Sequence, residues 1–389
     1  MSVAADGRYL YDESDTVLSP WEEDDRRWAP TAAAVSEAAL SIGGKSAVLM
    51  EQTTGKVLFE KNPNERLPIA SVTKIMTLLL TMEALEGELL RLEDTVTCSK
   101  TAASMGGSQI WLEEGESMTV DDLLKAAVIV SANDACAVLA EHLCGTIENF
   151  VARMNERAKE LGMQDTLFLD CSGLNDEAYS SAKDVAIMAR ELMKHRDIQR
   201  YTTVWMDTLR NGESQLVNTN KLVRHYEGAT GLKTGTTQKA GHCLAATAER
   251  EGIAFVAVIL GCDSTDERFG GARAMLDYGF ANFSLYTPAP DPTAQTTVPV
   301  RHGLDDTVSV APGTVTPILL KKGQEKGIVT EWDLAEELIA PVQKGQTVGA
   351  WRILLNNEVL ADIPICAENE VGKLTFTRAL GRLLSVLTA

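Results

Sequence analysis

Three short motifs constrain this chain more than anything else in it: Ser71-Val72-Thr73-Lys74, Ser131-Ala132-Asn133 and Lys233-Thr234-Gly235. The first lies at a predicted helix start, the second where two predicted helices meet, and the third in a strand region. Taken singly, each has a bland reading: an incidental lysine near a helix start, an N-cap, a turn with an exposed lysine. Taken together they hold a hydroxyl, a candidate base and a second cation. A serine hydroxyl attacks only when something removes its proton. A fold that uses these groups must therefore bring a helix start, a helix junction and a strand to one point.

The flanking pattern shows how. Ala47-Val48-Leu49-Met50 and Val57-Leu58-Phe59 flank Thr53-Thr54-Gly55-Lys56 and read as a hairpin. Pro68 is placed to open a helix, where its missing N–H costs nothing. Ser71 to Glu86 has no polar face, so that helix is expected to be buried. Asp121 to His142 reads as two helices broken near Ser131. Asn149 to Leu161 is amphipathic and ends at Gly162, and Ala182 to His195 is a further helix. His242 to Glu249 and Ile253 to Leu260 are apolar runs joined by Arg250-Glu251-Gly252, a second hairpin. Ala272 to Phe283 reads as a closing helix. Strands at both ends with helices between predict an α/β fold of the α+β type, its antiparallel sheet built from the two ends of the region.

Pro288, Pro290 and Pro292 mark a stiff linker. Beyond it, short valine- and isoleucine-rich runs separated by turn residues predict a small all-β module. The expected division is a flexible acidic arm over 1–30, a catalytic domain over 31–287, a β module over 293–372 and a helical tail over 373–389. In that tail Leu380, Leu383, Leu384 and Leu387 recur at helical spacing beside Lys373, Arg378 and Arg382. A basic amphipathic helix of this kind suits a membrane surface or packing on its own domain, and the tail reads as only the beginning of one. The arm carries eight acids against three bases and has no apolar core of a signal peptide. A leader removed ahead of it is expected if the protein works outside the cytoplasm. No apolar run is long enough to span a bilayer.

The net charge of −19 argues against a nucleic-acid partner, which needs a basic surface. Seven cysteines form no C-x-x-C pair, so neither a zinc cluster nor a full disulfide framework is expected. Cys136 and Cys144 read as small buried residues. Gly43-Gly44-Lys45-Ser46 lacks the first glycine of a phosphate loop, and the chain has no H-E-x-x-H. No metal or other cofactor is expected.

On a helix, positions 71 and 74 share a face, which places Lys74 within reach of Ser71 Oγ. Lysine serves as a base only when its pKa falls, and burial or a nearby cation such as Lys233 has that effect. Ser131 suits a proton relay, Asn133 an amide contact to substrate or to Lys74. A strand carrying Lys233 inward can pair with an extended substrate, and Gly235 keeps its face open for close approach.

S-x-x-K, S-x-N and K-T-G in this order mark penicillin-binding proteins and class A β-lactamases. The chain resembles more specifically the serine-type D-Ala-D-Ala carboxypeptidases, the low-molecular-weight penicillin-binding proteins of the peptidase S11 family. The resemblance runs from about Ser46 to the C-terminus. It includes Ala70 to Thr77, Ser131 to Ala135, Ser172-Gly173-Leu174, Tyr179 to Asp184, Thr230 to Thr237 and Ala240-Gly241. Ala132 stands where the family often has glycine, and the 1–30 arm matches no family element. The resemblance implies a β-lactamase/DD-peptidase-like domain followed by a β stalk and a membrane anchor. It implies that Ser71 is acylated, that Lys74 is its base, that Ser131 and Lys233 pass the proton to the leaving D-alanine, and that Asn133 holds the substrate amide. The N–H groups of Ser71 and Thr236 would form the oxyanion hole. Thr234 and Arg268 would hold the terminal carboxylate.

The implied substrate is the peptidoglycan stem peptide. β-Lactams would be covalent inhibitors, and the site of action would be the outer face of the cytoplasmic membrane. Two other functions fit parts of the pattern. A β-lactamase would need an added base, for which Glu177 is the candidate. A non-catalytic penicillin-binding scaffold would have no need of Lys74 or Lys233.

Overall fold

A computed structural model describes residues 40–291 and 294–380. The acidic arm, Pro292, Arg382, Leu383, Leu384 and Leu387 lie outside the described residues. The chain forms two compact units, divided between Asn282 and Phe283.

The first unit is built on a five-stranded antiparallel sheet. Its order is Val57–Lys61, Ser46–Glu51, Ile253–Cys262, Gly241–Arg250 and Ala229–Thr237. The sheet joins the two ends of the unit, as the sequence predicts. Every residue of Ile253–Cys262 is buried, which requires cover on both faces of that strand. The helices Ala182–Leu192 and Thr265–Asn282 both pack on it. The first hairpin closes around Glu51, which is fully buried. Its carboxylate accepts from the backbone N–H groups of Thr53 and Thr54 at 2.7 Å each and from the Thr54 hydroxyl at 2.6 Å.

The helix Lys74–Glu86 runs through the helical layer and touches the helices Val120–Ile129, Asn133–Cys144, Ile147–Glu160 and Ala182–Leu192. A helix surrounded in this way must be apolar on all sides. Its start differs from the sequence expectation. Pro68 lies outside it, and a single 3-10 turn, Ala70–Thr73, comes first. Ala70 has φ +47°, which interrupts any helical path from Pro68. Leu67 is instead bridged to Ser180.

The closing helix is also longer than predicted, beginning at Thr265 rather than Ala272. Gly270-Gly271 looks like a breaker in sequence. In the fold a methyl group on Gly271 would sit 2.7 Å from Ile259 Cδ1, so the glycine is what lets this helix lie close on the sheet. Threonine or serine caps the helices beginning at Val120, Ile147 and Ala182. Cys136 is buried, whereas Cys144, at the C-terminus of its helix, is half-buried.

Among the described residues the second unit is all β apart from one 3-10 turn and helical residues 376–380. A six-stranded sheet runs in the order Ile328–Leu334, Thr347–Leu355, Glu358–Ala367, Thr307–Pro312, Thr297–Arg301 and Leu338–Ile339. Thr297–Arg301 alternates exposed and buried positions, so one face is wet and the other packs. The packed face centres on Trp351, which is fully buried.

Candidate active site

The three motifs converge at the start of the helix Lys74–Glu86. Ser71, on the preceding 3-10 turn, is half-buried, while Val72 to Leu80 are all buried. Lys74 is fully buried. Its Nζ lies 2.9 Å from Ser71 Oγ, 2.6 Å from Asn133 Oδ1 and 2.7 Å from the Ser172 carbonyl oxygen.

These three partners decide what an uncharged Lys74 does. Two of the atoms, Asn133 Oδ1 and Ser172 O, can only accept hydrogen bonds. The Asn133 amide cannot be turned over, because its Nδ2 donates to the Gly106 carbonyl at 2.7 Å. An amine has two N–H donors and one lone pair. Spending both donors on the carbonyls leaves the lone pair facing the Ser71 hydroxyl, which can donate. The geometry thus aims a base at a nucleophile.

Burial pushes the Lys74 pKa below its ordinary value, and Cys136, Asp170, Cys171 and Asp134 act against that shift. Desolvation, rather than a second cation, is therefore the leading cause. Asp134 is held by the backbone N–H groups of Ile110 and Leu112. Burial nonetheless raises its carboxyl above the usual range.

Ser131 and Asn133 are not helix caps. The N-cap of Asn133–Cys144 is Ala132, whose side chain cannot cap. Both polar side chains are thereby left for other uses. Ser131 has φ +61°, and its buried hydroxyl has no protein partner. A buried hydroxyl left in that state is costly unless something else uses it. Lys233 is buried, donates to the Thr234 carbonyl at 3.2 Å and, like Lys74, acts on the Cys136 thiol.

The strand Ala229–Thr237 passes directly beside Ser71. A methyl group on Gly235 would lie 2.6 Å from the Ile69 carbonyl oxygen and 3.0 Å from Ser71 N. From the opposite loop, Gly173 comes closer still, and its methyl would sit 1.9 Å from the Ala70 carbonyl oxygen. Gly173 also has φ +85°, so only glycine suits it. Thr234 Oγ1 donates to Thr219 Oγ1 at 2.7 Å. Arg268 is fully buried on the closing helix, and its Nη1 donates to Thr236 Oγ1 at 2.9 Å and to the Gly235 carbonyl at 3.3 Å.

The structure thus ties Ser71, Lys74 and Asn133 together directly, and sets Arg268 on Gly235 and Thr236. Sequence reasoning assigned no role to the Ser172 carbonyl, Asp170, Gly106 or Thr219. Three of these act through the backbone or on it, and side-chain motifs carry no trace of that. Asp170-Cys171-Ser172-Gly173 does read as an Asx turn, which is the signal that was there to find. Glu177 is exposed and pairs with Lys239 at 2.5 Å.

A family model described as D-alanyl-D-alanine carboxypeptidase matches residues 31–264, and one described as the C-terminal domain of penicillin-binding protein 5 matches 283–373. D-alanyl-D-alanine carboxypeptidase DacF of Bacillus subtilis is 42% identical over 345 residues, 87% of this chain and 89% of that protein. DacC of Escherichia coli is 33% identical, covering 88% of each. Penicillin-binding protein 5 of Haemophilus influenzae superposes with a TM-score of 0.75 at 28% identity, over 86% of this chain and 98% of that one. The ampicillin-bound penicillin-binding protein D2 of Listeria monocytogenes superposes with a TM-score of 0.54 at 30% identity, over 62% of this chain and 99% of that one.

Proposed function

We propose that Ser71 is the nucleophile and Lys74 its base in this chain, which belongs to the peptidase S11 family of D-alanyl-D-alanine carboxypeptidases. One observation carries the assignment: a fully buried lysine hydrogen-bonded to two carbonyl acceptors and to a serine hydroxyl.

In the proposed reaction Lys74 takes the Ser71 proton as Oγ attacks the carbonyl of the penultimate D-alanine of a peptidoglycan stem peptide. The N–H groups of Ser71 and Thr236 receive the developing oxyanion. The peptide C–N bond then breaks, and the proton reaches the leaving amine by way of Ser131 and Lys233. Water, deprotonated by the same base, releases the acyl group and restores Ser71. Asn133 orients Lys74 and the substrate amide. Thr234, Thr236 and Arg268 receive the terminal carboxylate. The open face of Gly235 admits the substrate backbone. A β-lactam carries a carboxylate and an acyl carbonyl in related places and would acylate Ser71 in the same way.

The β-lactamase reading needs a second base, and the exposure of Glu177 and its pairing with Lys239 speak against that residue. An intact nucleophile–base pair speaks against a scaffold.

Action on the cell wall places the protein outside the cytoplasm. We further propose that residues 31–287 carry the chemistry, that 293–372 act as a spacer, and that the tail from Lys373 rests on the membrane surface. No helix among the described residues is long and apolar enough to cross a membrane. The described start of the tail exposes Phe376 and Leu380, as a helix resting on lipid would.

Mass spectrometry after brief exposure to benzylpenicillin tests the chemistry. An adduct on the Ser71 peptide that persists for minutes, absent from Ser71→Ala, is the expected result. An adduct elsewhere would overturn the nucleophile, and one cleared within seconds would favour a β-lactamase.

A further inference from the structure

We propose that Asp170 is a positioning residue of this site, folding the turn that supplies the Ser172 carbonyl to Lys74 and backs Gly173 against Ser71. The inference rests on the Ser71–Lys74 reading above and deepens it.

The Asp170 carboxylate organises the turn almost alone. Its Oδ1 accepts from Ser172 N at 2.6 Å, from Ser172 Oγ at 3.3 Å and from the Gly173 N–H. Its Oδ2 accepts from Asn175 N at 2.6 Å. Three backbone donors and a hydroxyl thus point inward on one side chain, the pattern of an Asx turn extended by one more bond. With the N–H groups gathered inward, two successive carbonyls face the catalytic helix. Cys171 O accepts from Thr77 Oγ1 at 2.6 Å, and Ser172 O accepts from Lys74 Nζ at 2.7 Å. Lys74 and Thr77 are neighbours on one helix face, so the turn reads that face with consecutive residues. The next residue, Gly173, presses on the Ala70 carbonyl. One carboxylate therefore fixes both the acceptor that orients the base and the backing that holds the nucleophile's peptide.

Asp170 also contributes charge. The titratable groups acting on Lys74 are Asp134 and Cys136 from the helix Asn133–Cys144 and Asp170 and Cys171 from the turn. Lys233, on the strand, acts on Cys136 in common with Lys74. Burial pushes the Cys136 thiol up to about 11 and that of Cys171 higher still, so neither carries charge near neutral pH. Asp170, half-buried beside the base, favours the ammonium form of Lys74. Taking its charge away disfavours the ammonium form of Lys74. The pH at which acylation switches on should fall.

The test is the rate of acylation by benzylpenicillin as a function of pH, read on the full 389-residue chain alongside thermal melting. Asp170→Asn keeps the shape and most acceptors of the turn but loses the charge. Its acid limb should move to lower pH by about half a unit or more. Asp170→Glu keeps the charge on a longer arm. Its limb should stay at the wild-type position while its rate falls about tenfold, because the turn is displaced. A wild-type limb in Asp170→Asn, or a wild-type rate in Asp170→Glu, overturns the proposal. If Asp170→Asn does not fold, Asp170→Glu alone decides on its rate. A wild-type protein not acylated at Ser71, or acylated equally fast at every pH, overturns the Ser71–Lys74 reading, and this proposal with it.

Discussion

Asn133 Oδ1 accepts from Lys74 at 2.6 Å while the nitrogen of the same amide is tied to the Gly106 carbonyl, so Asn133 meets the lysine with a neutral acceptor and nothing else. A carboxylate there would change one quantity above all, the ease with which Lys74 gives up its proton. Asn133→Asp is expected to raise the Lys74 pKa, since an anion in contact favours the ammonium form. Acylation should drop about tenfold or more at neutral pH and recover in part as the pH rises. A uniform loss at all pH values would mean that Asn133 acts on substrate alone.

Lys74→Arg keeps the charge and removes the base. Arginine does not deprotonate in a protein. General-base catalysis contributes about 10²–10⁴-fold, and a loss of that size is expected at every pH. With Lys74 as the base its ammonium form would be inactive, and burial lowers its pKa, so the wild-type rate should climb with pH and level off below the ordinary lysine range. Stopped-flow acylation across neutral and alkaline pH measures both.

Arg268→Ala removes a buried cation from the edge of Gly235 and Thr236. A hydrogen bond to a charged group is worth about 1.5–3 kcal/mol, so KM for a peptide ending in free D-alanine should rise roughly ten- to a hundredfold. A substrate with an amidated C-terminus should show little difference between wild type and variant. An equal loss on both substrates would assign Arg268 to packing the strand.

The tail is tested by co-sedimentation with anionic vesicles. The full chain should bind in low salt and release as salt rises, because surface charge is screened. A chain cut after Gly372 should not bind. Equal binding of the two would leave the tail without a membrane role.

The proximity of Ser71 and Lys74 was legible, because residues three apart on a helical turn share a face, and the two lie 2.9 Å apart. The sheet was legible too, since apolar runs at both ends of the unit had only each other to pair with. Backbone conformation was not. Nothing in the letters of Ile69-Ala70-Ser71 announces that Ala70 has φ +47° and delays the helix. Nor could glycine be read correctly at Gly271, where it signals close packing rather than a helix end. The acceptor that completes the base, Ser172 O, belongs to a peptide bond that every sequence has. Its placement rests on Asp170, whose letters suggest an Asx turn but whose four donors are counted only in space.

The strand Ser46–Glu51 pairs along its length with Ile253–Cys262, Ala47 opposite Ile259. This has a consequence in time. A ribosome makes Ser71 and Lys74 early, but the sheet edge that carries Lys233 cannot dock until the last strands have emerged and closed on the first. Such distant pairing is slow, because a long loop must be ordered before any contact repays it. A chain grown past Gly235 but not yet through Cys262 therefore holds all three motifs without the sheet that brings them together. If Ser71 is the nucleophile, it becomes competent only on completion of the unit.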